Sequence, residues 1–168
     1  EYLPPSNQSD EFLDISSKPA AQLSEQEQRF ILQWFFLAHP ERMIKPYPRY
    51  HDLLVKRGAH VAEHDWLALL RRFKPQDYLD LQVWFNLAWI DPWLRAQDAQ
   101  LARLEAQGGR FTEEQKRYVL QQHRALMAQV IPAYKEAAAR GQIELSTSPY
   151  YHPIMPLLCD LRAAQMGL

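Results

Sequence analysis

The sequence predicts a mainly α chain of about seven helices with one strand near 143–147, on three observations. Apolar residues recur at helical spacing through most of the chain. Helix-opening and helix-ending residues punctuate those segments. Only Ile143 to Thr147 reads as a strand, short and apolar with Glu144 inside it. A lone strand cannot satisfy its own backbone groups. Its partners are therefore expected outside these 168 residues, in other parts of the same protein or in another copy.

Residues 1–22 are polar and rich in Pro and Ser, and read as an extended or disordered lead-in. Ser24 and Glu27 form a capping-box pattern that opens a helix expected to run from Glu25 to Ala38. Phe30, Ile31, Trp34, Phe35, Leu37 and Ala38 make its apolar face, and His39-Pro40 stops it. Pro46-Tyr47-Pro48 reads as an extended joint. A short helix follows from Tyr50 to Arg57, with Gly58 as its terminator. Asp65 to Arg72 is another, with Trp66, Leu69 and Leu70 inward.

Pro75 opens the helix Gln76 to Trp89, whose apolar residues exceed one stripe and predict burial on most sides. Asp91-Pro92 starts a helix expected to reach Gln107, and Gly108-Gly109 turns the chain. Thr112 and Gln115 form a second capping box, opening a long helix to Arg140. Pro132 lies inside it and predicts a kink or break near Ala128. Gly141 ends it, and a last helix is expected from His152 to Gln165. The expected division is a lead-in over 1–22, a helical region over 23–140 and a strand–turn–helix unit over 141–168.

Composition narrows the function classes. The formal charge is −1 with acids and bases interspersed, which argues against a nucleic-acid or anionic-membrane binder. No apolar run approaches the ~20 residues needed to span a bilayer. The single cysteine, Cys159, allows no internal disulfide framework and suits a reducing, cytoplasmic compartment. With no CxxC partner it reads as a buried thiol. The chain begins with Glu1 rather than Met, which suggests a processed product or an internal segment. His60 and His64 stand four apart, but no Glu-x-x-His pattern accompanies them, so a solvated segment is preferred to a metal site.

Glu144 is the first candidate for function. A carboxylate on an apolar strand either contacts a ligand or pairs with an arginine, and the pattern alone leaves both open. His152, before a helix-opening proline, reads as a residue bonding nearby backbone. Tyr150 and Tyr151 read equally as ring-stacking or packing residues. Trp84 has apolar neighbours and is assigned to the core. Trp89 and Trp93 flank a helix junction nearer the surface, with packing as the default.

Gly141-Gln142-Ile143-Glu144-Leu145-Ser146, continuing through Ser148-Pro149-Tyr150-Tyr151-His152-Pro153-Ile154 to Pro156-Leu157-Leu158, looks like a signature segment of glycoside hydrolase family 57. Two upstream stretches resemble the helical region of that family, Tyr47 to Leu54 and Asp77 to Trp89. The resemblance covers residues 25–165. It implies enzymes acting on α-glucans: α-amylases, amylopullulanases, 4-α-glucanotransferases and branching enzymes. It further implies an irregular (β/α) barrel and a retaining mechanism with a glutamate nucleophile and an aspartate acid/base.

The chain departs from the family pattern in lacking His-Gln-Pro and the segments that carry both catalytic carboxylates. The resemblance therefore implies a catalytically incomplete piece, comprising the helical portion and one strand–helix unit of the barrel. Glu144 is then a substrate-binding residue on the barrel wall, with His152, Tyr150 and Tyr151 at the strand's mouth. The expected partners are an α-glucan and the rest of the parent barrel, with no cofactor. Self-association through the strand's edges stays open. The competing reading is a non-catalytic helical interaction module.

Overall fold

The structure is a computed structural model that describes residues 10–59, 61–146 and 159, excluding the side chain of Glu63. It is mainly helical, with eight α-helices among the described residues. The chain divides into two compact units, one of Ser9–Ala128 and one joining Glu1–Gln8 to Gln129–Leu168. No helix among the described residues is long and apolar enough to cross a membrane.

The Ser9–Ala128 unit is built around α5, Pro75–Ala88. Its 14 residues include ten buried ones, distributed around the whole helix as the sequence predicts. Leu81, Val83, Trp84 and Leu87 are fully buried. The helices α1 (Glu11–Ser17), α2 (Glu25–Trp34) and α3 (Pro48–Arg57) pack against α5. Helix α4 (Trp66–Arg72) rests on α2 and turns its Leu69 inward. Rings of Phe12, Phe35 and Phe85 stack where α1, α2 and α5 meet, with centroids 4.4 Å apart for Phe35 and Phe85. Such contacts add to the burial of the rings themselves.

Helix α1 corrects the expected lead-in. Asp10 accepts hydrogen bonds from the N–H groups of Phe12 and Leu13, which opens a helix inside the Pro/Ser-rich stretch. Ile15 and Ser16 are buried. Gln82, fully buried on α5, donates to the carbonyls of Ile15 and Lys18. Lys116 donates to the Lys18 carbonyl and to Gln82 Oε1. Burial of Ile15, the stacked Phe12 ring and these polar ties outweigh the segment's polar composition.

The capping box on α2 is formed. Ser24 Oγ accepts from the Glu27 N–H, and Glu27 Oε2 accepts from the Ser24 N–H at 2.7 Å. The helix stops four residues short of Ala38, because the N–H groups of Leu37 and Ala38 close tight turns onto Trp34 and Phe36. His39 is extended ahead of Pro40, as a residue before proline must be. Residues Pro40–Ile44 form one wide π-type turn, and extended Tyr47 leads into α3, which opens at Pro48. Gly58 closes α3 at φ +88°.

The helix expected from Asp91 to Gln107 is two, α6 (Pro92–Gln97) and α7 (Ala99–Gln107). Asp98 breaks it by accepting from the N–H groups of Gln100 and Leu101 while Tyr118 donates to its other oxygen. A capping aspartate held from outside makes a new helix start more favourable than continuation. The hydrogen bond to Asp98 pushes the Tyr118 pKa up to about 12.

Helix α8 (Glu113–Ala139) opens on the predicted Thr112 and Gln115 capping box. It carries Pro132 without a break. Pro132 and Ala128, the residue whose carbonyl loses its donor, are both exposed, so the freed oxygen lies in a solvent-accessible stretch. The helix ends in a Schellman motif: Gly141 at φ +67° donates to the Ala138 carbonyl, and Gln142 to that of Ala137.

Residues 143–146 have no regular structure, so the strand expected there is absent among the described residues. An isolated extended segment has no neighbouring ladder to join. Cys159 is helical and exposed, not the buried thiol expected. The rest of the expected final helix lies outside the described residues.

Candidate functional site

The Ser9–Ala128 unit carries a groove of about 1060 Å³. One wall is Pro46-Tyr47-Pro48 with Arg49 and Asp52 of α3. Lys74, Gln76 and Asp77 at the start of α5 also line the groove, with the end of α7 and the following turn, Glu105 to Arg110. Trp84 forms the floor, and the Tyr47 ring stacks on it with centroids 4.5 Å apart. The Trp84 indole N–H donates to the Gly108 carbonyl at 3.0 Å, which ties the loop to the core.

Arg49 organises this groove. Its Nε donates to Asp80 Oδ2 and its Nη2 to Asp77 Oδ1, each at 2.7 Å. Lys56 Nζ reaches the other Asp77 oxygen at 2.7 Å, which also accepts the Lys74 backbone N–H. Asp80 Oδ1 accepts from Gln76 and from the Phe111 N–H. Burial opposes ionisation of Asp77, but Lys56, the Lys74 N–H and Arg49 together overcome it and hold its pKa below the usual value. Burial likewise opposes the charge on Arg49, and the two aspartates outweigh it. A Cβ on Gly109 would stand 2.9 Å from Arg49 Cγ, so the loop passes the guanidinium stem at a distance only glycine permits.

A second cluster closes the far side. Arg95, buried on α6, donates to the Leu87 carbonyl and to the Tyr47 hydroxyl. Tyr47 donates in turn to Glu105, whose other oxygen lies 3.2 Å from Arg95 Nε. Burial raises the Tyr47 pKa against the opposing field of Arg95. The central carboxylates and cations are thus consumed in one another. Every oxygen of Asp77 and Asp80 accepts at least one hydrogen bond, and the network ties α3, α5 and residue 111 together.

That network explains a feature the sequence showed without its cause. The two upstream stretches that carry the family resemblance, Tyr47 to Leu54 and Asp77 to Trp89, meet here through Arg49 and the two aspartates. The signal available in sequence is the pair Asp77 and Asp80, three apart and so on one face of the helix.

Glu144 lies beyond the Schellman turn, exposed, with no hydrogen bond or ion pair among the described residues. Its neighbours Ile143 and Leu145 are exposed as well. Tyr150, Tyr151 and His152 fall outside the described residues. His64 is exposed beside Asp65, and His60 is outside the described residues.

The family model described as glycosyl hydrolase family 57 matches residues 12–166. The chain belongs to glycosyl hydrolase family 57. No curated protein and no solved structure gives a match. The family 57 match starts within α1, the element that the sequence had placed in the lead-in, and takes in Glu144, Tyr150, Tyr151 and His152. Membership makes this a chain of a carbohydrate-active family of glycosidases and transferases.

Proposed function

We propose that this family 57 chain is the helical portion and a substrate-contacting segment of an enzyme that hydrolyses or transfers α-glucans. The reaction proceeds with retention through two carboxylates that lie outside residues 1–168, one as nucleophile and one as acid/base. Glu144 accepts hydrogen bonds from sugar hydroxyls, which an ionised carboxylate does strongly. Tyr150, Tyr151 and His152, eight residues or fewer downstream, contribute further contacts. The enzyme works in the cytoplasm, in keeping with the single cysteine.

The observation that carries the reading is the family match across the Glu144 segment. The carboxylate's lack of any ion-pair partner among the described residues supports a ligand contact over the structural salt bridge that the sequence left open.

The test is turnover of maltoheptaose by the complete product of the gene encoding this chain, beside the 168-residue chain and a Glu144→Gln version of the complete protein. Activity is expected only in the complete protein. Glu144→Gln should raise KM about tenfold, the loss of one charged hydrogen bond, with kcat changed far less. A complete protein inactive on α-glucans would overturn the reading and favour a helical interaction module.

A further inference from the structure

Trp89 and Trp93 are exposed by 56 % and 68 %, against the packing expected from the sequence. Their backbone is firmly held. Ile90 between them is buried, and its N–H donates to the Leu87 carbonyl. Asp91 Oδ1 accepts the Trp93 N–H at 2.8 Å, and Pro92 fixes the first residue of α6. Arg95, one turn on, is buried and bonded to the same Leu87 carbonyl. A rigid junction therefore carries two indoles outward.

Neither indole N–H donates a hydrogen bond, and neither ring meets another aromatic ring, among the described residues. Each offers a flat apolar face with a polar N–H at its edge. Gln97 stands four residues after Trp93 on α6, exposed and without a hydrogen bond, and Asp91 has a carboxylate oxygen to spare. A pyranose presents the complementary surface, C–H groups on its face and hydroxyls around its rim.

The other exposed apolar surface has a different character. Met127, Val130, Ile131 and Tyr134 recur at helical spacing along α8 and are mostly aliphatic. Such a stripe suits packing against another apolar element. The 89–93 junction offers aromatic faces and polar edges instead.

We propose that Trp89 and Trp93 form a glucan-binding surface, on which pyranose rings of an α-glucan chain stack while Asp91 and Gln97 bond their hydroxyls. The choice of an α-glucan rests on the function proposed above. The tryptophan pair lies in the Ser9–Ala128 unit, whereas Glu144 belongs to the other.

Affinity electrophoresis of the 168-residue chain through gels containing glycogen, xylan or no polysaccharide tests this. Glycogen should retard the chain, and Trp89→Ala/Trp93→Ala should weaken that binding at least tenfold with the urea midpoint unchanged. Trp84 is no control, since it is core. A double variant retarded as strongly as the parent overturns the site and leaves the enzyme reading standing. Retardation by xylan alone overturns the α-glucan assignment. Absence of retardation in every gel, with a dimer in sedimentation that the double variant abolishes, makes the surface a self-association interface and overturns the proposal. Maltoheptaose turnover by the complete protein decides the enzyme reading separately.

Discussion

The Ser9–Ala128 unit and residues 129–146 treat their side chains in opposite ways. In the first, α5 buries ten of 14 residues, and even Asp80, Gln82 and Lys116 are enclosed with partners. In the second, Val130, Ile131, Tyr134, Ile143 and Leu145 are all exposed, and Glu144 is unpaired. The first region encloses most of its apolar residues and partners Asp80, Gln82 and Lys116, with Trp89 and Trp93 among its outward exceptions. The second keeps sequence patterns of burial without the burial, which is what a surface shaped for something else looks like. An exposed apolar stripe with no cover marks an interaction surface more often than an accident.

The comparison breaks most readily at Asp80. Replacing it with Ala leaves Arg49 Nε and the buried Phe111 N–H without their acceptor, while Arg49 Nη2 keeps Asp77. The expected loss is about 2–4 kcal/mol, from one side of a partly buried ion pair and an unsatisfied buried N–H. Urea unfolding should show the midpoint falling with an unchanged slope. A loss below ~1 kcal/mol would mean that the network is less enclosed than its geometry indicates.

Gly109→Ala comes next, at about 1–3 kcal/mol, because the new methyl must displace the Arg49 stem. Combined with Asp80→Ala, its cost should shrink, since the two substitutions act on one side chain.

Acid titration gives a smaller effect. Lys18 and then the Ser24 N–H hold the Glu27 pKa at about 2, below its usual 4.5. A depressed folded pKa means a contribution fully present above 4.5 and lost as pH falls to about 2. Melting temperatures of the parent and Glu27→Gln should therefore differ at pH 6 and converge towards pH 2. A constant gap would show that the carboxylate's charge is not what stabilises α2.

The smallest effect belongs to the second region. Ile131, 74 % exposed, should accept Lys with a change within ~0.5 kcal/mol in the 168-residue chain. In the complete protein the same substitution sharpens the contrast: a loss there, absent here, would identify α8 as a covered face.

What the sequence made legible follows from how local each signal is. Both capping boxes, the all-round burial of α5 and the Gly141 terminator rest on residues a few positions apart, and all were readable. Asp98 was read as helix interior because its decisive partner, Tyr118, lies 20 residues away. Helix α1 was missed for the same reason: Gln82 and Lys116 hold it from far along the chain. At the candidate site, Glu144 could be singled out as an acid among apolar residues, but its exposure could not. Pattern alone assigned a strand whose formation depends on neighbours that a sequence window does not contain. Trp89 and Trp93 are nearer the surface than Trp84, as their place at a helix junction indicates, but the extent of their exposure is not legible because apolar character predicts burial only on average.

Lys116 has one more consequence, in the order of assembly. It is 1 % exposed, and its ammonium holds the Lys18 carbonyl across 98 positions of sequence. Glu113 reaches back in the same way to the Ala20 N–H. During synthesis the first helix emerges long before either clasp exists, and domains acquire such distant contacts late. The start of this chain should therefore be among the last parts to lock. Ribosome-arrested chains in which residues 113–116 are still inside the exit tunnel should expose 11–18 to protease, and chains in which they have emerged should protect it.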